Sequence, residues 1–431
     1  MSKQPVTAVI IGAGHRSMLY ASYALSHPDE MKIVAVAEPD EVRRRKAAEA
    51  HGIPPERCYL TAEELAAQPR MADAAINGTM DLHHVPTTLP LLDAGYHVLL
   101  EKPICPNAEE LMLLLRATQE TGLHLMIGHV LRYAPFYVQL KQRVLDGAVG
   151  RIISMQTVEN VSYHHMATAF VRGKWNRRDT SNPMLLAKCC HDLDLICWYM
   201  SGVDPCTVAS LGGRSFFREE CAPEGSTDRC LNGCPRQKDC TYSAETMYLK
   251  QRFWPTYAWE GIEHVDNPSD EFKAESLKTT NPYGRCVWRC DNDVVDHQGV
   301  LIQFGDGCVA SHSLNTGTAR PCRSIHILGT EGEIQGVMEE GKFVIRRPDT
   351  RAGHEFAEES VDLAVSGAMH GGGDLRLVGD FVRVVRGEEP SISCTNVMDS
   401  VNGHLVAFAA DISMLEQRMV AIQELREPAI A

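Results

Sequence analysis

No apolar run in this chain approaches the roughly 18 residues that a membrane-spanning helix needs, and no long basic run is present. Lys plus Arg number 42 against 56 Asp plus Glu, a formal charge of −14, which makes nucleic acid and anionic membranes poor candidate partners. No 20–50-residue repeat and no low-complexity tract occurs, so solenoid and propeller architectures are excluded. The first residues, Met1-Ser2-Lys3-Gln4-Pro5, lead straight into a strand-like run without signal-peptide architecture; the expectation is a cytoplasmic protein. What is present is an ordinary globular balance. The 431 residues are 44% apolar and 23% charged, enough for two sizeable cores. Fifteen cysteines, an odd number with no export signal, argue against a disulfide scaffold. Most are expected as small apolar core residues.

Val6-Thr7-Ala8-Val9-Ile10-Ile11 is a short apolar, β-branched run of the kind buried on both faces of a parallel sheet. Gly12-Ala13-Gly14-His15-Arg16-Ser17 follows, then a helical pattern from Met18 to Leu25, then a strand over residues 32–37 ending at Glu38. Strand, glycine turn, helix, strand and acid in that order form a mononucleotide-binding unit. Gly12 permits the tight turn, and Gly14 lets backbone approach a pyrophosphate at the helix N-terminus. The Glu38 carboxylate is placed to accept from a ribose diol and to repel a 2′-phosphate, which favours NAD over NADP. Arg43, Arg44 and Arg45 weaken that preference, and Ser17 stands where the third glycine of the fingerprint is usual. The alternation continues with a capping box at Thr61–Glu64, a strand at 73–77, a helix closing near Ala94, a strand at 96–100 ending at Glu101-Lys102-Pro103, an Asn107-capped helix to Thr121 and a strand at 123–127. This is a doubly wound parallel sheet whose ligands sit at the carboxyl ends of its strands.

The rhythm changes after about residue 130. Residues 151–161 read as a strand, and residues 300–304 and 308–312 as a hairpin around Gly305-Asp306-Gly307. Residues 324–328, 333–337 and 342–346 look like further strands, and 396–425 is mostly helical. The expected α/β architecture is a Rossmann domain over 1–130, followed over 131–431 by an α+β domain with a large open, mainly antiparallel sheet and a Cys-rich insertion at about 215–295. A long exposed sheet is an aggregation liability, so a second subunit is expected on its outer face, as a homodimer or homotetramer.

Gly12-Ala13-Gly14-His15-Arg16 together with Glu101-Lys102-Pro103 resembles the Gfo/Idh/MocA oxidoreductases. So do Cys190-His191-Asp192-Leu193-Asp194-Leu195, Leu328-Gly329-Thr330-Glu331-Gly332-Glu333-Ile334 and His370-Gly371-Gly372-Gly373-Asp374, and the likeness covers nearly the whole chain. The resemblance implies a nicotinamide cofactor and a sugar, inositol or similar polyol as substrate. It also implies that Lys102 and His191 are catalytic, that Thr79, Asp81 and His84 lie in the stretch along the nicotinamide, that His15, Arg16, Glu101 and Lys102 join the cofactor contacts, and that Asp194 joins the substrate contacts. The family usually has an acid four residues before the histidine; here that position is Ala187. A minority of the family keeps the nicotinamide bound, oxidises a sugar hydroxyl transiently and cleaves a glycosidic bond.

Hydride removal from a carbinol needs a base for the hydroxyl proton and a donor for the alkoxide. His191 suits the first task near neutral pH; Lys102 suits the second, or serves as the base itself where burial lowers its pKa. The polar-aromatic stretch over 163–178 suits a sugar or sugar acid, with His165, Arg172 and Trp175 as contacts and His165 as the acid for a leaving group. Cys230-x3-Cys234-x5-Cys240 in a Gly/Pro/Asp-rich segment, with Cys290, Cys286 or Cys221 as fourth ligand, suits a structural tetrahedral zinc; Cys290 is the one chosen, and an iron–sulfur cluster is an alternative. The leading expectation is an NAD-dependent oxidoreductase acting on a secondary hydroxyl of a sugar or polyol. The runner-up is a redox glycosidase or lyase with recycled NAD, and a third reading is a non-catalytic NAD-binding sensor, for which Lys102→Ala would change ligand affinity alone.

Overall fold

The computed structural model describes residues 4–363 and 369–426. The first sheet has six parallel strands: β1 (Val6–Ile11), β2 (Met31–Ala37), β3 (Cys58–Tyr59), β4 (Ala74–Asn77), β5 (His97–Leu100) and β6 (Leu125–Ile127). Their order is β3-β2-β1-β4-β5-β6, the doubly wound arrangement whose strand order reverses beside β1. Each interior strand is almost wholly buried, as helices on both faces require. Caps stand where the sequence places them: the side chains of Thr61 and Asn107 accept from the backbone N–H of Glu64 and Glu110. Gly12 has φ +73° and lies so close to Thr79 that a Cβ would meet its backbone at 3.1 Å. The close approach normally owed to the third glycine is supplied from the other side, because a Cβ on Gly78 would stand 2.3 Å from Ser17 Oγ.

The second sheet has nine strands: β7 (Ile152–Ser162), β8 (Pro205–Gly213), β9 (His297–Phe304), β10 (Val309–Thr318), β11 (Cys322–Gly329), β12 (Glu333–Val337), β13 (Lys342–Pro348), β14 (Phe356–Asp362) and β15 (Val420–Ala421), in the order β14-β13-β12-β11-β7-β10-β9-β8-β15. Only β7 and β10 pair in parallel; the other contacts are antiparallel. The inner face packs on two helices, Met184–Tyr199 and Val397–Glu416, which meet so tightly that a Cβ on Gly403 would stand 2.9 Å from Asp194 Cα. The Cys-rich insertion leaves β8 after Gly213 and returns at His297, two residues paired across the ladder. It is therefore a long excursion from one point of the sheet, and the sheet closes without it.

One element crosses the expected boundary at 130. The helix Gly373–Val385 turns Leu377, Val378, Phe381 and Val382 into the core beneath β1 and β2. The nucleotide-binding sheet is thus completed from the far end of the chain.

Candidate active site

The glycine turn sits between β1 and the helix His15–Ala21. Open space lies over Gly14, where a Cβ would meet nothing within 4 Å. Buried Glu38, past the end of β2, accepts from the backbone N–H of Ala13 at 2.6 Å and of Asp40 at 2.9 Å, so the acid is fixed beside the turn. The donor set and the open backbone fit a dinucleotide. Arg43, on the helix Glu41–His51, pairs with Glu260 at 2.5 Å and Glu263 at 2.9 Å of the insertion. Lys174 pairs with Glu260 as well.

Lys102 stands at the carboxyl end of β5, and its Nζ donates to the carbonyl of Ala187 at 3.0 Å. The position without the usual acid therefore engages the lysine through its backbone. One turn further along the helix Met184–Tyr199, His191 is 4% exposed and its buried Nδ1 has no hydrogen-bond partner. Burial, then the Lys102 charge, then His129 and His370 hold its imidazole well below the usual histidine range. It is neutral at pH 7 and free to accept a proton. The ring of His129 lies 5.7 Å away and that of His370 5.8 Å away, centroid to centroid. His370 is delivered by a left-handed run, with φ of +50°, +61° and +81° at His370, Gly371 and Gly372; two glycines make that run inexpensive.

His165 is half-buried against the Trp254 ring, 4.4 Å between centroids, and burial, then Lys188, His164, Arg323 and Lys102, also keep it neutral. Trp175 donates its indole N–H to Asp81, which also accepts from Asn182. Tyr257 packs 5.9 Å from Trp175; burial raises its pKa while the Lys102 and Arg16 charges oppose that rise. The Lys102 charge thus acts on His191, His165 and Tyr257. Trp254, Tyr257 and His129 were missed in the sequence, where no spacing marks them; His370 stood in a quoted motif without a role assigned to it.

Other expected contacts are engaged differently. Arg16 is tied to Asp374 at 2.7 Å, Glu101 at 3.3 Å and the Tyr20 hydroxyl at 2.6 Å, and Glu101 also accepts from Tyr20. Fully buried His84 lies with its ring nitrogens 2.6 Å from the Pro103 carbonyl and 3.1 Å from that of Thr79, so it fixes the turn that carries Lys102. Thr79 is held by the Asn77 side chain, and His15 is exposed at the start of its helix. Asp194 makes a bidentate pair with Arg132 at 2.7 and 2.6 Å. Arg172 donates into the insertion, to the carbonyls of Arg285 and Tyr242, because that segment folds over it. Cys290 turns its Sγ to the Cys286 carbonyl, whereas Cys286 lines a cavity with Cys230, Cys234 and Cys240. Cys189, Asp192 and His312 put ligand atoms within 4.8 Å of one another, but Arg323 lies 3.0 Å from Asp192, and with Lys188 it flanks neighbouring Glu159. Positive charge already fills that cluster.

Behind the site, buried His404 accepts from the Ile104 N–H at 2.9 Å, and burial first, then His129, lower its pKa to about 3. Below pH 6.5 the unfolded chain takes up a proton that the folded ring refuses, so stability present above pH 6.5 is lost as pH falls towards 3. By pH 5 this ring alone should cost about 2 kcal/mol, with buried His129 and His191 acting in the same direction. Urea unfolding between pH 5 and 8 checks this; flat stability across that range contradicts it.

Residues 6–129 match the model of the GFO_IDH_MocA oxidoreductase family with an NAD-binding Rossmann fold. The chain is 24% identical to the putative oxidoreductase YteT of Bacillus subtilis, over 72% of each chain. It is 28% identical to inositol 2-dehydrogenase 4 of Saccharopolyspora erythraea, over 53% of this chain and 62% of that one. Its fold superposes with a TM-score of 0.68 on an Agrobacterium radiobacter oxidoreductase solved with NAD+, L-tartaric acid and magnesium, at 14% identity over 98% of this chain and all of the other.

Proposed function

Because this chain belongs to the Gfo/Idh/MocA oxidoreductases through residues 6–129, we propose that it is an NAD-dependent dehydrogenase of a secondary hydroxyl on a sugar, sugar derivative or polyol. The observation that carries the reading is the neutral, buried His191 beside the Lys102 ammonium at the carboxyl end of β5. NAD, when bound over the glycine turn, supplies the hydride acceptor. The substrate carbinol lies between Lys102 and His191. His191 takes the hydroxyl proton, and Lys102 donates to the oxygen as negative charge grows on it. His165 and Trp175 hold the sugar, with the insertion's Trp254 and Tyr257 as an apolar wall that a sugar face stacks on. Polyol dehydrogenases among the relatives support this substrate class.

Ala187 favours one second reading. With no carboxylate at that position, transient oxidation of a glycoside followed by elimination has the base and cation it needs, and His165 stands by as acid for the leaving group. A screen of free sugars, polyols and glycosides that records NADH and aglycone together separates the two. NADH stoichiometric with product supports the dehydrogenase, aglycone release without net NADH supports the glycosidase, and neither with any substrate overturns both.

We also infer that a second copy covers the outer sheet face. Leu211, Leu301, Val309 and Leu328 are exposed, at 76% for Leu211 and 54% for Leu301. The register puts them on one face: Leu301 faces Ala209 and Ser311 across β8, β9 and β10, and Val309 and Leu328 both face Ser154. An apolar row over several strands marks an interface. Leu301→Asp is expected to turn a dimer or tetramer into a monomer with its fold intact, read by sedimentation velocity. A monomeric parent protein at tens of micromolar would refute the interface.

A further inference from the structure

Four thiols of the insertion, Cys230, Cys234, Cys240 and Cys286, line one small cavity of about 10 Å³, enough to admit a water-sized group. The backbone brings them there in a definite way. Cys230 donates its N–H to Gly284 and Cys286 donates to Asp228, across a bridge between Arg229 and Arg285. Cys234 and Cys240 flank a tight turn in which Gln237 donates to the Cys234 carbonyl and Cys240 to that of Arg236. Among the described residues no three of these sulfurs lie within 4.8 Å of one another, so gathering them on an ion requires the cysteine side chains to rotate.

A second observation is independent of the thiols. Arg172 lines the same cavity and is 1% exposed, and among the described residues no carboxylate pairs with it. Its Nε and Nη2 donate to the Arg285 and Tyr242 carbonyls, Nη1 lies against the Tyr248 hydroxyl and Met247 Sδ, and Nη2 also lies 3.5 Å from Cys230 Sγ. A buried arginine without a counter-anion is costly. Four of the groups lining the cavity beside it are thiols, which metal binding would turn into thiolates. The stretch from 222 to 243 has no helix, and its one element of sheet is the Arg229 bridge; segments that cannot build a core of their own are held by staples.

We propose that Cys230, Cys234, Cys240 and Cys286 bind one structural Zn²⁺ as a tetrathiolate. Binding displaces four thiol protons to solvent, and the resulting site carries two net negative charges, which Arg172 offsets through N–H···S contact. The ion staples the insertion that carries Trp254, Tyr257, Glu260 and Glu263, and stands apart from the hydride chemistry.

The test uses the full-length protein expressed in zinc-supplemented medium. One zinc per chain by elemental analysis, released by a mercurial together with four newly reactive thiols, is expected. Cobalt exchange should give the visible bands of a tetrahedral thiolate site. Cys286→Ser should lose the metal and Cys290→Ser should keep it. Should Cys286→Ser fail to fold, the metal content of the parent and of Cys290→Ser decides. Substoichiometric zinc with all fifteen thiols titrating freely, iron with labile sulfide, or loss of the metal in Cys290→Ser would each overturn the proposal.

Discussion

Lys102→Met should lower kcat by about 10²–10⁴-fold, the range expected when a positioned donor to the reacting oxygen is lost, or roughly 3–5 kcal/mol of transition-state stabilisation. Methionine keeps the length and apolar stem and removes the charge. NAD affinity should change little, because the glycine turn, Glu38 and the backbone over Gly14 are untouched. A second readout separates this role from a structural one. The Lys102 charge is the largest influence after burial that holds His191 low, so the variant's residual activity should show its acid limb at higher pH than the parent's. A variant with parental kcat, or with an unmoved acid limb, would remove Lys102 from the chemistry.

Arg132→Met is expected to cost about 3–5 kcal/mol of stability, the penalty for leaving one member of a buried ion pair alone. Arg132 and Asp194 are each 1% exposed and joined by two hydrogen bonds. Burial already raises the Asp194 carboxyl, and Arg132 opposes that rise; without the guanidinium the carboxyl would rise further. The deficit relative to the parent should therefore shrink as pH falls and Asp194 takes up a proton. Arg132→Met combined with Asp194→Asn should recover part of the loss, since it removes the stranded charge. Chemical unfolding at two pH values measures both effects. Asp194 is three residues past His191 on the same helix, so the single variant should also disturb the site.

The parts of this molecule that were legible in the sequence are those whose signal is local. The strands around Gly12–Gly14, the Thr61 and Asn107 caps and the Asp306-Gly307 hairpin are written within a dozen residues each, and the structure has them. Lys102 and His191 were legible through motifs. Arg172 was not, because composition gives the residue type and not the direction of its side chain: an arginine among aromatics reads as a sugar contact until the insertion folds over it. The helix Gly373–Val385 carries a readable periodicity, but its docking under β1 and the Asp374–Arg16 pair join residues more than three hundred positions apart. Nothing local encodes such a partnership.

The Arg43 pair with Glu260 and Glu263 has a consequence for engineering. These carboxylates lie 217 and 220 residues beyond the arginine, outside the segment a domain transplant would carry. A chimera that borrowed residues 6–129 alone would expose a guanidinium at the ribose end of the crevice, where a phosphorylated dinucleotide would find it. Libraries aimed at switching coenzyme should therefore randomise this distant acidic pair alongside Glu38.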